Sequence, residues 1–520
     1  MSDDLQALGA QAEARLAQGE RDPHLYNLAA WASADSGDCD RAFALLAQAR
    51  QIAPDDPQTL TSLAALHRRA GRLRDAVLHC DAAIRVAPGY ADAWLERGFV
   101  FASGGSMARA RECYERTIKL DPSAAAAHAG LAAIVARDGD DAAGRGHAHA
   151  ALALDPGNVI AASALASLDL EAGEPARARD RLEPLVAALS APDGDRSLAL
   201  GLLGEAYGRL DQPQRAYAAY ARAKADFAAI HAAQFAERPP HHGFIAAVGD
   251  ALAQFDFTPP ANAARPAKAA ASHLFLLGYP RSGNTLVENI LASLPGVVAL
   301  EERPTLRAAD QDFLSDPDGL GRFAALDEEA LAPYRAAYWN TVAQAGIDAA
   351  KRSFVDMDPL KGTRLPLIAR LFPEARILIM RRDPRDVVWS CFRTQFALTN
   401  AAMDFTTLER AARHYDAMMR LLETAQARLP LAFHVVRYEN LVADLDAETR
   451  ALCAFAGLPW DVAVRRFDRT AKARGVATAS AGQVRKGLYD GRRQWQPFAR
   501  WLEPVMPILA PWIEKFGYAD

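Results

Sequence analysis

A glycine recurs every 34 residues through the first third of the chain. The positions that share this period are Gly37, Gly71, Gly105, Gly139 and Gly173, and a proline keeps the same spacing at Pro54, Pro88, Pro122 and Pro156. A fixed period of this length is typical of a repeated supersecondary unit, whose apolar face is covered only by the neighbouring copies. The period therefore predicts a stack of similar units rather than one closed core.

The copy over residues 91–124 carries the fullest pattern. Its characteristic positions are Trp94, Gly98, Phe101, Gly105, Ala110, Tyr114 and Pro122. This spacing resembles the tetratricopeptide repeat, a unit of two helices. The resemblance implies copies over residues 23–56, 57–90, 91–124, 125–158 and 159–192, a sixth copy after a four-residue insertion, and a partial helix before the first. We expect an α-solenoid over residues 1–235, whose concave surface binds a peptide or a partner protein.

Residues 236–272 change character and become rich in proline and alanine, with the strings ERPPHHG and FTPPANAARPAKAAAS. We predict a linker with one helix near residues 244–253. His241 and His242 are adjacent, so their side chains point apart, and no third ligand lies nearby in the sequence. We interpret them as linker histidines rather than metal ligands.

Composition narrows the class of protein. A chain of 520 residues is too long for one core, and 51% hydrophobic with 24% charged residues is typical of globular proteins. The net charge of −5 does not suit a general nucleic-acid binder. No segment has the roughly eighteen uncharged apolar residues of a membrane span, and the first thirty residues lack the apolar core of a signal peptide, so we expect a cytoplasmic protein. The five cysteines are far apart and lack CxxC spacing, which predicts reduced thiols.

A different pattern begins at His273. The run HLFLLGY has the length and apolar character of a buried strand, PRSGNT follows as a tight loop, and LVENILASL continues as a helix up to Pro295 and Gly296. A strand, a loop and a helix in this order form a phosphate-binding turn, because the loop amides and the positive helix end attract oxyanions.

The loop itself differs from that of a nucleoside triphosphatase. From Gly278 it reads G-x-x-x-x-G followed by Asn284, at the position where such an enzyme has lysine. Arg281 offers instead a planar fork for an oxyanion, and Ser282, Asn284 and Thr285 add donors.

The string PRSGNTLVENIL resembles the 5′-phosphosulfate loop of the sulfotransferase family, in particular that of tyrosylprotein sulfotransferases and of bacterial proteins that join tetratricopeptide repeats to such a domain. The usual family loop reads PRSGTTL, so Asn284 stands where threonine is commonest. The resemblance implies that the domain binds 3′-phosphoadenosine 5′-phosphosulfate (PAPS) and releases adenosine 3′,5′-bisphosphate (PAP). The donor-binding residues that it implies here are Arg281, Ser282, Gly283, Asn284 and Thr285.

Three further segments extend the resemblance. ARILIMRRDPRDVVWSCF is a second strand, loop and helix, similar to the family segment that holds the ribose 3′-phosphate, and RYENL matches a segment whose tyrosine lies near the nucleotide. TASAGQVRKGLYDGRRQW is similar to the family's C-terminal nucleotide loop. The residues implied are Arg382 and Ser390 for the 3′-phosphate, Tyr438 beside the nucleotide, and Ser480, Gln483, Arg485, Lys486 and Trp495 in the C-terminal loop.

Sulfuryl transfer requires a hydroxyl nucleophile in line, a base for its proton, and positive charge on the leaving phosphate. Glu302 lies 21 residues after Arg281, the spacing of the catalytic base in tyrosylprotein sulfotransferases, and Glu301 is the reserve candidate. The family lysine of a DKxP-type segment is replaced by Met357 in VDMDPLKGT. We predict that Lys361 reaches the bridging oxygen instead, and that Arg281 carries this charge if Lys361 does not. No metal is expected, since the arginines supply the charge.

The expected architecture is the α-solenoid, the linker, and an α/β P-loop-like sulfotransferase domain with a mostly parallel sheet over residues 273–520. The acceptor is then a hydroxyl group of a peptide tyrosine, a sugar or a small compound. Two alternatives stay open. One is a P-loop-like kinase or nucleotidase that binds ATP with Mg²⁺, and the other is a non-catalytic repeat scaffold that binds partner proteins.

Overall fold

The 34-residue period corresponds to pairs of helices. A computed structural model describes residues 2–259, 269–316, 318–474, 484–485 and 487–518. In it, helices begin at the first residues of the five predicted copies, which are Pro23, Pro57, Ala91, Ala125 and Val159, and a further helix precedes them. The predicted repeats are therefore confirmed copy by copy.

The turn within each pair contains the periodic glycine. Its φ is positive in every copy, from 72° at Gly71 to 92° at Gly139, and Asp211 takes the same position in the sixth copy with a φ of 56°. Residues with a Cβ reach such values only with difficulty, which explains the glycine period. The helices are α1 (Ser2–Ala17), α2 (Pro23–Asp35), α3 (Cys39–Ile52), α4 (Pro57–Arg69), α5 (Leu73–Val86), α6 (Ala91–Ser103), α7 (Met107–Leu120), α8 (Ala125–Asp138), α9 (Asp141–Leu154), α10 (Val159–Glu171) and α11 (Pro175–Ala188).

The chain divides into two compact units. The first comprises residues 1–190 and 205–210, and the second comprises residues 191–204 and 211–520. The next helix, α12 (Gly194–Arg209), contributes residues to both units. The following two, α13 (Pro213–Phe235) and α14 (His241–Gln254), belong to the second unit.

A parallel five-stranded sheet lies in the second unit, with the strand order β2-β3-β1-β4-β5. The strands are β1 (Ser272–Leu277), β2 (Val297–Glu301), β3 (Ser353–Met357), β4 (Arg376–Arg381) and β5 (Ala432–Arg437). The helices between and after them are α15 (Asn284–Ala292), α16 (Arg307–Phe313), α17 (Gly319–Ala324), α18 (Glu328–Gln344), α19 (Leu365–Leu371), α20 (Pro384–Arg393), α21 (Asn400–Asp404), α22 (Leu408–Arg428), α23 (Tyr438–Ala443), α24 (Leu445–Ala456), α25 (Phe467–Arg474), α26 (Ala499–Leu502) and α27 (Met506–Lys515). This order confirms the predicted fold class.

Buried apolar side chains join one face of the sheet to α15. Leu274, Val355 and Leu378 from the strands pack in one cluster with Val287 and Ile290 of α15, and all five are fully buried. Because side chains alternate across a strand, this packing fixes which residues of β1 and β3 face away from α15. It also positions the loop that joins β1 to α15.

The second unit begins before the predicted domain boundary at residue 235. On α13, the ring of Tyr217 stacks on Trp501 with 4.6 Å between centroids, and Nζ of Lys224 donates a 2.6 Å hydrogen bond to the carbonyl oxygen of Thr394. The helix predicted within the linker is α14, which packs along α22 and buries Ile245. Apolar and hydrogen-bonding side chains of both helices thus complete the second unit. The sequence assigned α13 to the repeats and α14 to a linker, and neither assignment revealed this tertiary role.

Two further features bear on the class of protein. Across the described ranges, no helix combines the length and the apolar character that a membrane crossing requires. All five cysteines are unpaired, and all except Cys39 are buried.

Candidate active site at the carboxyl edge of the sheet

Loops from all five strands converge on the carboxyl edge of the sheet. The register places Glu301 beside Met357 and Arg381 beside Arg437, so neighbouring strands end level with one another. Ligands of parallel α/β sheets bind at this edge. The residues predicted from the sequence follow the strands directly, with residues 278–285 after β1, Glu302 after β2, Lys361 after β3, Arg382 after β4 and Tyr438 after β5.

The loop after β1 has an unusual backbone. The φ angles of Gly278, Arg281 and Gly283 are 152°, 68° and 105°. A Cβ on Gly278 would lie 2.5 Å from the carbonyl oxygen of Met380, so only glycine fits beside β4. A non-glycine residue with positive φ costs of order 1–3 kcal/mol and persists where its surroundings hold it, often at a binding site.

Hydrogen bonds to one carbonyl close this loop. The oxygen of Tyr279 accepts from the side-chain amide of Asn284 at 2.8 Å and from the backbone N–H of Ser282 at 3.2 Å. The side chain of Asn284, which we expected to serve the ligand, therefore donates within the loop. Helix α15 starts at Asn284, and its positive end lies at the loop, where an anion is favoured.

The two arginine-bearing turns are joined. Nε of Arg281 donates to Oγ of Ser390 at 3.0 Å, and Nη1 of Arg382 donates to the carbonyl oxygen of Arg281 at 3.0 Å. One cleft is lined by both arginines together with Thr285 and Tyr438. The sequence motifs around residues 281 and 382 thus contribute to a single site.

Positive charge accumulates in this cleft. Burial, followed by the nearby charges of Arg393 and Arg382, lowers the pKa of Arg281 to about 10, while Cys391 opposes the shift. Arg281 therefore stays protonated at neutral pH although its hydration is reduced. A bound anion would restore the lost stabilisation.

Tyr438 and Asp386 form hydrogen bonds with the backbone of residues 489–495, which we call the C-terminal segment. The Tyr438 hydroxyl donates to the carbonyl oxygen of Tyr489 at 3.0 Å and accepts from the N–H of Gly491 at 3.1 Å, and the Arg382 guanidinium lies 4.6 Å from its ring centroid. The carboxylate of Asp386 accepts from two further backbone N–H groups, those of Arg493 at 2.8 Å and Trp495 at 3.0 Å.

Sequence reasoning missed Asp386. Burial raises its pKa, and the charge of Arg382 opposes this shift. An aspartate in the first turn of a helix, directly after the RRDPR turn, is the signal that could have identified it. Three residues predicted for the C-terminal loop, Ser480, Gln483 and Lys486, lie outside the described residues, whereas Arg485 is described and half-buried.

Glu302 occupies a turn after β2 and has a φ of 43°. Its N–H donates to the carbonyl oxygen of Met357 at 2.7 Å, and its side chain keeps an exposed surface. Partial loss of hydration, followed by the negative charges of Asp358, Glu301 and Glu288, raises its pKa to about 7, while the positive charge of Arg281 opposes the shift. A carboxylate with this pKa is suited to accept a proton at neutral pH.

Lys361 does not line the cleft shared by the arginines. Its ammonium group forms a buried ion pair with Asp356 and donates to the Thr305 hydroxyl at 3.2 Å. The Thr305 and Tyr338 hydroxyls donate to the same carboxylate at 2.7 and 2.8 Å. Met357, in the position of the family lysine, is fully buried in the apolar cluster on the α15 side of the sheet.

The predicted role of Lys361 at the bridging oxygen is therefore not supported by its position. Side chains of Asp356 and Met357 point to opposite faces of β3, and Lys361 follows Asp356 to the face away from α15. Nζ of Lys361 also lies 3.5 Å from the carbonyl oxygen of Arg303, the residue after Glu302. The buried pair thus secures the turn that carries Glu302, a link that the sequence did not reveal.

Among the residues that the structure describes, His, Cys, Asp and Glu side chains form no group of three or more suited to hold a metal ion.

Comparison with known proteins gives two family matches. Residues 273–462 match the model described as "Sulfotransferase family", and residues 91–123 match a tetratricopeptide repeat model. The second match coincides with the copy that carries the fullest repeat pattern.

Two relatives align with nearly half of the chain. An uncharacterized protein of Aquifex aeolicus is 29% identical over 255 residues, which are 46% of this chain and 33% of that protein. Protein-tyrosine sulfotransferase 1 of Danio rerio is 27% identical over 268 residues, 47% of this chain and 72% of that protein. The alignments thus span a third of the Aquifex protein and nearly three quarters of the Danio protein. Among solved structures, the type IV pilus biogenesis factor PilW covers 39% of this chain and 93% of its own, with 18% identity and a TM-score of 0.34.

Proposed function

Because this chain joins tetratricopeptide repeats to a domain of the sulfotransferase family, we propose that it transfers a sulfuryl group from PAPS to a hydroxyl acceptor. The observation that carries the proposal is the pair of contacts that unite Arg281, Ser390 and Arg382 in one cleft. A ligand with anionic groups at both its 5′ and 3′ positions matches two cationic turns at neighbouring strand ends. The cytoplasmic location expected from the sequence is part of this proposal.

The residues of the cleft fit this donor. The loop amides, the positive end of α15 and Arg281 would hold the 5′-phosphosulfate, and Arg382 with Ser390 would hold the 3′-phosphate. Tyr438 lies between the second turn and the C-terminal segment, where it would contact the nucleotide. PAPS would supply an electrophilic sulfur with PAP as the leaving group.

Glu302 is the proposed general base. It would accept the proton of the acceptor hydroxyl as the acceptor oxygen bonds to sulfur and the sulfur–oxygen bond to the 5′-phosphate breaks. Arg281 would stabilise the negative charge that develops on the leaving phosphate. Lys361 is assigned to the support of the Glu302 turn, because its ammonium group is already paired with Asp356.

A tyrosine in a peptide is the acceptor class that we propose. The Danio relative is named as a protein-tyrosine sulfotransferase, which favours a tyrosine in a peptide, and the tetratricopeptide repeats would offer a surface for that peptide. A sugar or a small hydroxyl compound fits the same chemistry.

Transfer of radiolabelled sulfate tests the proposal. The full chain would be incubated with [³⁵S]PAPS and a panel of acceptors that contains tyrosine peptides, sugars and phenols. We expect label on at least one class and its loss when Glu302 is replaced. A kinase or nucleotidase would instead consume ATP in the presence of Mg²⁺, and Asn284 in place of the nucleotide-binding lysine argues against that activity. A pure scaffold would transfer no label at all.

A further inference from the structure

A chain of two hydrogen bonds runs from α14 to the loop after β1. Nδ1 of His241 lies 2.8 Å from Nε2 of His414, and Nδ1 of His414 lies 2.8 Å from the hydroxyl oxygen of Tyr279. Tyr279 belongs to the anion-binding loop, His414 to α22, and His241 is the first residue of α14. We call these three side chains the histidine bridge.

Two of the three bridge residues are buried, and His241 is half-buried. His414 is fully buried, and Tyr279 is 1% exposed. Burial keeps the pKa of His414 well below its usual range and lowers that of His241 to about 4, so both rings are neutral near pH 7. A neutral imidazole has one donor and one acceptor. Both ring nitrogens of His414 are therefore matched only while Tyr279 and His241 are both in place.

Tyr279 connects the bridge to the shape of the loop. Its side chain is held by His414, and its backbone oxygen is the acceptor that receives Asn284 and Ser282. Two residues later Arg281 has a positive φ of 68°. A strained backbone of this kind requires fixed surroundings, because otherwise the loop relaxes to a commoner conformation. The bridge supplies such a fixed point on the side of the loop away from solvent.

We propose that His241 and His414 are positioning residues for the anion-binding loop, which through Tyr279 keep Arg281 in the conformation that receives the 5′-phosphosulfate. The identity of the ligand rests on the proposed function, whereas the mechanical link between α14 and the loop does not. Helix α14, which the sequence assigns to a linker, thereby becomes part of the support of the donor site.

Hydrogen exchange and ligand binding test this link on the full chain. Amide exchange over residues 278–285 would be followed by mass spectrometry, and PAP affinity would be measured by calorimetry. His241→Leu and Tyr279→Phe each break one bond of the bridge, so we expect roughly tenfold faster exchange of the loop and roughly tenfold weaker PAP binding. The side-chain amide of His241→Asn can donate or accept near the position of Nδ1, so this variant should retain both properties of the wild type.

Tyr415→Phe is the matched control. Tyr415 is a buried neighbour on α22 with its ring centroid 5.0 Å from that of Tyr279, and its hydroxyl lies outside the bridge. Loss of this hydroxyl should leave loop exchange and PAP affinity unchanged. Unaltered loop exchange in both His241→Leu and Tyr279→Phe would overturn the inference. If the wild-type chain binds no PAP but its loop exchange still depends on the bridge, the positioning role stands and the PAPS assignment fails.

Discussion

Nε of Arg281 donates a 3.0 Å hydrogen bond to Oγ of Ser390, although the two residues are 109 positions apart. Arg281 lies in the loop after β1, and Ser390 lies in α20 behind the loop after β4. The contact joins the two arginine-bearing turns, and both arginines line one cleft. A change at Ser390 should consequently affect both ends of a doubly phosphorylated ligand.

Ser390→Ala should weaken PAP binding about tenfold, since it removes one donor to the 3′-phosphate and the acceptor that orients Arg281. Calorimetric titration with PAP gives the dissociation constant. Ser293→Ala is the control, because the Ser293 hydroxyl donates to the carbonyl oxygen of Ile290 at the far end of α15. Equal affinities of the wild type and Ser390→Ala would contradict the shared site.

Glu302→Gln should lower kcat by about 100-fold to 10,000-fold while PAP affinity changes little, because the variant lacks the proton acceptor. The wild-type rate should rise with pH through about 7, the raised pKa of Glu302, and that rise should be absent from the residual activity of the variant. Glu301→Gln tests the reserve candidate, and its kcat should fall far less. An unchanged kcat in Glu302→Gln would exclude Glu302 as the base.

The same substitution should stabilise the protein at alkaline pH. The pKa of Glu302 is about 7 in the folded state against an ordinary value of 4.5, so the folded state holds this proton more tightly than the unfolded state does. Glu302 therefore lowers stability increasingly from pH 4.5 to pH 7. Thermal unfolding should show a higher Tm for Glu302→Gln at pH 8 and an equal Tm at pH 4. A lower Tm at pH 8 would show that the carboxylate is stabilised in the fold.

Lys361→Met should cost about 3–5 kcal/mol of unfolding free energy, because it leaves Asp356 charged and buried without its partner. Asp356→Asn should be similarly harmful, and the double variant should be less destabilised than the sum of the two. Lys351→Met, at an exposed lysine, is the control. Chemical denaturation measures all four. A Lys361→Met protein with normal stability and a lost kcat would restore the leaving-group role predicted from the sequence.

A fragment of residues 273–520 should fold poorly, whereas a fragment of residues 191–520 should be stable. The shorter fragment lacks α13 and α14, and with them the stacking of Tyr217 on Trp501 and the bond from Lys224 to Thr394. Circular dichroism and thermal melts of the two fragments compare their stability. Equal melting temperatures would show that these helices are dispensable for the second unit.

The parts of the fold that sequence alone predicts depend on local patterns. The glycine period located the repeat helices, because a positive φ in a tight turn requires glycine or a rare substitute such as Asp211. The strand, loop and helix around Arg281 were equally predictable, because one continuous segment of the sequence determines both the burial of the strand and the geometry of the loop.

The parts that it does not predict depend on contacts between distant segments. His241 lies in a segment with linker composition, yet its partner His414 is 173 residues away. Lys361 lies four residues after the position of the family lysine, but the ion pair with buried Asp356 determines where its side chain points. The carboxylate of Asp386 accepts a hydrogen bond from a backbone N–H group 107 residues later in the chain. Because nearly every residue has such a group, the sequence does not indicate which one is the partner.

Calorimetry with two nucleotides tests the central claim most directly. The full chain would be titrated with PAP without metal and, separately, with ATP and Mg²⁺. If the two arginine turns act jointly, the chain should bind PAP at micromolar concentrations and should give no heat with ATP and Mg²⁺. Replacement of both Arg281 and Arg382 by alanine should abolish PAP binding. Tight binding of ATP with Mg²⁺ and none of PAP would contradict it.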